Sequence, residues 1–320
     1  MGDAWPPDLP FPVRNESGAP PFTGGMPCEP RLAHFPARFA CVALCALLSA
    51  CEPGILNPAG PIAAGERSIF FNALAVMLAI VVPVIVLAFV FSWWFRASNT
   101  RAKHLPEWAY SGRLELLVWS VPALAIMFLG GIAWIGSHDL DPPKPIASKA
   151  RTMTVEVVAT DWKWLFLYPE QGIATINRLV VPVGTPVKFR ITSAGVMNSF
   201  FVPQLGSQIY AMSGMDSTLH LRADKAGRYR GLSAHYSGEG FADMDFFVDA
   251  VPQGDFDRFV ATARAGKGKT LDWPEFVAMA HPSRNVRPAS YPRLQPGLYD
   301  QIVMRNGAPE GEQAKDGREQ

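Results

Sequence analysis

The side chains able to do chemistry are few in this sequence and unevenly placed. All four cysteines, Cys28, Cys41, Cys45 and Cys51, fall in the first 51 residues. The remainder offers no disulfide, no thiolate metal site and no cysteine nucleophile. His138, His220 and His281 lack metal-ligand spacing. His235 is a lone imidazole in a stretch rich in glycine and serine, where packing or hydrogen bonding is the plain reading. Glu115 stands apart, because it interrupts a long apolar run. A carboxylate in that setting either takes part in proton or ion movement or snorkels to the membrane interface.

The elements around these groups begin with an address. Residues 1–35 are rich in proline and glycine without apolar periodicity, which reads as disorder. Arg31 and Arg38 then flank the start of an apolar run, Phe39 to Ala50, of signal-peptide length and too short to span a bilayer. Met1 and Met26 both stay open as the start. The run ends in Leu48-Ser49-Ala50-Cys51, which resembles the lipobox of bacterial lipoproteins. In such a box small residues fit a peptidase groove, and the thiol accepts diacylglycerol before cleavage leaves the cysteine as the new N-terminus. Residues 1–50 are therefore expected to form a signal peptide with its preceding segment, and Cys51 to carry lipid. The alternative is an ordinary apolar helix that ends in cysteine. Each buried acyl CH₂ contributes about 0.8 kcal/mol, so the lipid would tie the linker at 51–68 to the outer face of the membrane.

Residues 69–95 contain no charged side chain. At 1.5 Å per residue they reach roughly 40 Å, more than a hydrocarbon core of ~30 Å. Residues 114–136 form a second run of spanning length, broken only by Glu115 and Pro122. Two transmembrane helices are expected. The loop at 96–113 carries Arg96, Arg101, Lys103 and Arg113 against Glu107, which places it in the cytoplasm. Trp93, Trp94, Trp108 and Tyr110 suit the aromatic belt on that side, and Trp134 the belt on the other. Cys51 and everything after Ser137 then lie outside, in agreement with the independent lipobox signal.

After a stiff linker, Pro142 to Pro145, the period changes to two. Met153, Val155 and Val157 alternate with Thr152, Thr154 and Glu156; Val187, Phe189 and Ile191 alternate with Lys188 and Arg190. Leu219 and Leu221, then Met244, Phe246 and Val248, repeat the pattern. Short strands between glycine and proline turns over 137–250 indicate a sandwich or small barrel. Residues 251–320 change character again, with amphipathic helices expected at Phe256–Arg264 and Trp273–Ala280 before a polar tail. With 29 basic and 28 acidic side chains the chain has a net charge of +1, so no nucleic-acid partner is expected.

Several segments together resemble one family. Asp161-Trp162-Lys163-Trp164, closing the first strand, is similar to the aromatic segment of subunit II of the haem–copper oxidases. Met197 to Pro203 resembles the strand that carries that family's first copper-ligating histidine, and Gly231 to Met244 the loop that carries the other ligands. Glu115 sits four residues before Trp119 and seven before Pro122, as in the family's second helix. The likeness covers about residues 51–249, and the segment after it resembles the C-terminal extension of one branch. It implies a two-helix transmembrane hairpin followed by an all-β, cupredoxin-like Greek-key sandwich with a short helical C-terminal extension.

Copper-bearing members hold a dinuclear centre through two cysteines, two histidines, a methionine and a glutamate carbonyl. The resemblance places the first histidine on Asn198, the cysteines on Ser233 and Ser237, the glutamate on His235 and the second histidine on Phe241; Met244 alone is kept. Thiolates must bridge the two coppers, and a hydroxyl is a poor ligand for them, so no metal is expected here. This pattern of loss resembles the quinol oxidase branch, and the phrases around Asp161–Asn177 and Val196–Met215 are similar to its ubiquinol-oxidising cytochrome bo type. The implied role is a redox-silent subunit of a proton-pumping ubiquinol oxidase that reduces oxygen to water. Haem groups and copper would reside in subunit I, with further small membrane subunits (III, IV) as partners, membrane lipid around the helices and no cytochrome c. The location implied is the bacterial inner membrane with the β-domain in the periplasm. The resemblance also implies that Glu115 lies at the mouth of a proton channel, and Trp162 and Trp164 are read as packing and subunit contact. The rival reading is a free-standing lipoprotein with a cupredoxin-like binding domain, which would have no use for Glu115.

Overall fold

The computed structural model describes residues 54–103 and 105–305; the expected signal peptide, the expected lipobox with Cys51 and the polar tail lie outside the described residues. Two long helices come first, α1 (Pro61–Trp94) and α2 (Gly112–Asp139), both long and apolar enough to cross a membrane. Helix α1 begins ahead of the uncharged run because Pro61 occupies its first turn, where its fixed φ suits a helix and its missing N–H costs nothing. The hairpin closes near its C-terminal end, where Ile69 packs on Gly136 and Leu140 on Gly65. Pro83 and Pro122 lie inside the two helices.

The head is a sandwich of two mixed sheets. Its strands are β1 (Met153–Thr160), β2 (Lys163–Tyr168), β3 (Ile173–Ile176), β4 (Arg178–Pro182), β5 (Val187–Ser193), β6 (Asn198–Phe201), β7 (Ile209–Ala211), β8 (Ser217–Leu221), β9 (Gly227–Ser233) and β10 (Asp245–Val251). The extension adds helices α3 (Gln253–Ala265), α4 (Trp273–Ala280) and α5 (Leu298–Met304), and strands β11 (Thr270–Leu271), β12 (Ala289–Tyr291) and β13 (Arg293–Leu294). One sheet runs β12-β3-β2-β1-β5-β8 and the other β4-β10-β9-β6-β7. The β1–β5 and β4–β10 pairs are parallel and require crossovers, so the chain follows the expected cupredoxin-like Greek-key arrangement.

The alternating residues fill the space between the sheets: Val155, Val157, Phe189, Ile191, Leu219, Leu221, Phe246 and Val248 are all buried. Trp164, Phe166, Phe200 and Phe246 form its aromatic centre, with Phe200 stacked on Phe246 at 5.1 Å between centroids. The extension does not trail away. It covers the outer face of the six-stranded sheet, where Val158, Leu165, Leu167, Ala174 and Ile176 pack against Leu271, Phe276, Leu298 and Ile302. Its first two helices fall where the amphipathic pattern predicts them. Helix α5 and strands β11–β13 left no comparable signal, being too short for a clear period.

Head and hairpin are joined by backbone hydrogen bonds. Ala59 N–H donates to the Gln204 carbonyl at 2.8 Å, and its own carbonyl accepts from Asp224 N–H at 2.8 Å. Gly60 passes so close to the Arg222 carbonyl that a Cβ would lie 2.2 Å from it. Glu66, on the second turn of α1, bonds the Ser207 hydroxyl. Strand β8 meets the far linker as His220 N–H donates to the Pro142 carbonyl at 3.0 Å, with the imidazole buried beneath.

Candidate functional site

Strands β6, β9 and β10 converge at one end of the sandwich and bring together four of the six positions that the resemblance aligns with copper ligands. Asn198 opens β6, Ser233 closes β9, and the loop between β9 and β10 supplies Ser237 and Met244. Ser233 Oγ lies 3.2 Å from both Asn198 Oδ1 and the His235 carbonyl, so its single hydrogen is shared between two acceptors. Asn198 Nδ2 donates to the Val196 carbonyl at 3.0 Å. Ser237 Oγ is 4.0 Å from Met244 Sδ, and Met244 is 2% exposed. At the other two positions the side chains make ring contacts instead, although the His235 carbonyl stays bonded to Ser233. The His235 ring meets Tyr210 edge-on at 6.0 Å, and Phe241 leans on Tyr236 at 5.6 Å.

Trp162 braces this loop from the side. Its φ of 66° lies in the left-handed region, unusual for a bulky residue and a sign that its neighbours fix it. The indole N–H donates to the Ser237 carbonyl at 3.0 Å. Gly240 makes the fit feasible, since a Cβ there would lie 2.2 Å from the indole. Trp164, two residues on, is fully buried in the core. The aromatic motif thus divides its labour between core packing and loop support.

Glu115 lies elsewhere, in the first turn of α2, where a carboxylate is favoured by the helix dipole. Its side chain is exposed on the surface of the hairpin, beside Leu116 and Trp119. His138 contacts the Trp134 carbonyl in its own helix at 2.8 Å, and His281 is exposed. Among the described residues no group of three or more His, Cys, Asp or Glu side chains could hold a metal.

Comparison with known proteins gives this geometry a family. The profile of the cytochrome c oxidase subunit II periplasmic domain matches residues 170–251, and that of the COX aromatic rich motif matches residues 265–309. The cytochrome bo(3) ubiquinol oxidase subunit 2 of Pseudomonas putida is 45% identical over 273 residues, 84% of this chain and 87% of its own. The ubiquinol oxidase subunit 2 of Acetobacter aceti is 45% identical over 272 residues, 84% of this chain and 88% of its own. The chain belongs to the subunit 2 family of the haem–copper oxidases. Among solved structures, the periplasmic domain of subunit II of the cytochrome oxidase of Bradyrhizobium japonicum is 25% identical, covering 37% of this chain and 96% of its own, with a TM-score of 0.35.

As a haem–copper oxidase subunit 2, the chain invites a test of its loop against dinuclear copper. The donors gathered there are an amide, two hydroxyls and one thioether, and no thiolate is within the loop to bridge two metal ions. The Ser233 hydroxyl and the Asn198 amide are already engaged with each other and with backbone carbonyls. The residues present do not fit the copper centre of the copper-bearing members.

Two further residues of this subunit 2 escaped the reading of motifs. Lys163 is 1% exposed, and its ammonium donates to the His281 carbonyl at 2.8 Å and to Ser283 Oγ at 2.6 Å. Burial pushes its pKa below the ordinary lysine value, with the Asp161 charge opposing. Asn177, in the left-handed region at φ 53°, accepts from Trp164 N–H at 2.8 Å and donates to the Val286 carbonyl at 2.8 Å. Both pin the extension to the sheet. A lysine between two tryptophans in an apolar strand was the available signal, since a buried ammonium needs partners from elsewhere.

Proposed function

We propose that this chain is the redox-silent second subunit of a proton-pumping ubiquinol oxidase, which reduces oxygen to water. The observation that carries the reading is the closed loop: the ligand positions of the copper-bearing branch are filled by side chains that satisfy one another. Electrons then have no relay in the head and reach subunit I from a quinol dissolved in the membrane. The haem groups and copper of subunit I supply the redox chemistry. This chain caps and anchors that subunit, alongside further small membrane subunits.

The topology follows from charge. The loop at 96–113 faces the cytoplasm of a bacterial inner membrane, while the head and a lipid-bearing Cys51 face the periplasm. Glu115, at the cytoplasmic end of α2, exchanges protons with bulk water and passes them to subunit I. Its exposure on the hairpin supports this role, because a carboxylate at that depth is costly unless a partner or a water path receives it.

The test is oxygen uptake by the detergent-solubilised complex isolated through this chain, with ubiquinol and reduced cytochrome c compared as donors. Uptake with ubiquinol alone is expected, and uptake with cytochrome c would overturn the redox-silent role. In the same assay Glu115→Ala should slow turnover in a complex that still assembles. Unchanged turnover would remove Glu115 from the proton path.

A further inference from the structure

The extension is fastened to the sheet at three polar points. Two of them, Lys163 with His281 and Ser283, and Asn177 with Val286, reach from a buried sheet residue to the extension. The third is built differently. Arg190, on the outer face of β5, stands in register with Glu156 of β1. Its guanidinium donates to Glu156 Oε1 at 3.1 Å, to Asp216 Oδ2 at 2.7 and 2.9 Å, and to Asp300 Oδ1 on α5 at 2.8 Å. It also lies over the ring of Tyr299, 4.6 Å from the centroid, and the Tyr299 hydroxyl donates to Asp216 Oδ1 at 2.9 Å.

One positive charge therefore serves three carboxylates. When all are ionised the cluster carries two uncompensated negative charges around a half-buried guanidinium, and Glu156 is held away from water. Glu156 is the most enclosed of them, at 12% side-chain exposure against 33% for Asp216 and 51% for Asp300. Among the described residues, Arg190 is the one cation in an ion pair with these carboxylates. Lys188, the next outward residue on β5, pairs in register with Thr154 and His220 rather than with Glu156. On β8 the residue level with Arg190 is the neutral Thr218, and on β2 the residue level with Glu156 is Leu167. His220 is held toward its neutral form by burial.

We propose that the C-terminal extension is held by a proton-dependent latch: a proton on Glu156 relieves repulsion inside the carboxylate cluster, and Arg190 then grips Asp300 and holds α5 against the sheet. Burial pushes the Glu156 carboxyl up to about 7, opposed by Arg190 and reinforced by Asp300 and Asp216. The sign follows from that direction. A carboxyl whose pKa is higher in the latched state than when free binds its proton more tightly when latched. The fastening is complete below the free carboxylate value and is lost as pH rises through about 7. On the topology proposed above, the latch faces the compartment that receives pumped protons and tightens as it acidifies. That consequence rests on the topology; the latch itself rests on the geometry of the cluster and on the raised Glu156 carboxyl.

The experiment is amide hydrogen exchange of residues 298–304 in the full-length chain within the solubilised complex, at pH 6 and pH 8, corrected for intrinsic exchange. Protection in the unaltered chain should fall by up to about tenfold from pH 6 to pH 8. Glu156→Gln, neutral at both pH values, should keep the protected level throughout. A fall of the original size in Glu156→Gln, or no fall in the unaltered chain, overturns the latch. Asp300→Asn gives a second check that spares the sheet. It should lower protection at pH 6 and flatten the response, and a full response in that variant would also overturn the proposal.

Discussion

The six-stranded sheet is covered over most of both faces, but the two faces are covered by different routes. The inner face meets the second sheet, and most of that core comes from residues within the head, such as Val155, Val157, Trp164, Phe166, Phe189 and Leu219, with Phe256, Val260 and Ala263 of α3 added to it. The outer face meets chain that arrives about a hundred residues later, with Phe276, Leu298 and Ile302 covering Val158, Leu165, Leu167 and Ile176. The inner contacts define the sandwich. The outer ones form a third layer, which also lends the sheet its edge strand β12, and they are supplemented by polar fastenings at Lys163, Asn177 and Arg190. A layer held by so few short elements should detach before the sandwich it covers.

The sharpest break of this comparison is Phe276→Ala. Phe276, on α4, is fully buried between the extension and the sheet and belongs to the outer cluster of apolar contacts. Removing a buried phenylalanine ring costs about 3–5 kcal/mol. The loss should appear as early protease cleavage within 270–305, with the thermal transition of the sandwich retained. A single transition shifted as a whole would show that the two faces behave as one cooperative unit.

The same contrast explains what could be read from the sequence. Alternation was legible in β1 and β5 because their outer positions, Thr154, Glu156, Lys188 and Arg190, lie at the wetter margin of the extension and stayed polar. It vanished in β2, where every residue from Lys163 to Tyr168 is buried, because the extension makes the outer face apolar as well. The site shows a similar limit. Asn198, Ser233, Ser237 and Met244 were locatable from family spacing, and the structure gathers them at one end of the sandwich. The packing of the His235 ring on Tyr210 joins the loop to β7, for which no local pattern exists, while Phe241 packs on Tyr236 within an irregular loop that has no period to read.

Within the loop the comparison can be sharpened at a finer scale. Gly240→Ala places a methyl group into the Trp162 indole, and neither the strained tryptophan nor the loop has room to yield without moving the other. Overpacking of this kind costs about 1–3 kcal/mol. Tryptophan fluorescence should change, because the indole N–H would lose its bond to the Ser237 carbonyl. Unaltered emission and stability would mean that Trp162 is not the brace described above.

The smallest effect expected is the most informative about how the loop is held. Ser233→Ala removes the hydroxyl shared by Asn198 Oδ1 and the His235 carbonyl, and leaves a 2%-exposed asparagine without that donor. The net cost of such a hydrogen bond is about 0.5–1.5 kcal/mol. Ser237→Ala should cost less, since its hydroxyl faces only a thioether, a weak acceptor at 4.0 Å. Denaturant midpoints of the two variants settle the order. If Ser237→Ala were the more damaging, the loop would be organised around Met244, the one residue retained from the ligand set, and not around the Asn198–Ser233 pair. The loop would then keep the geometry of a metal site after losing its donors.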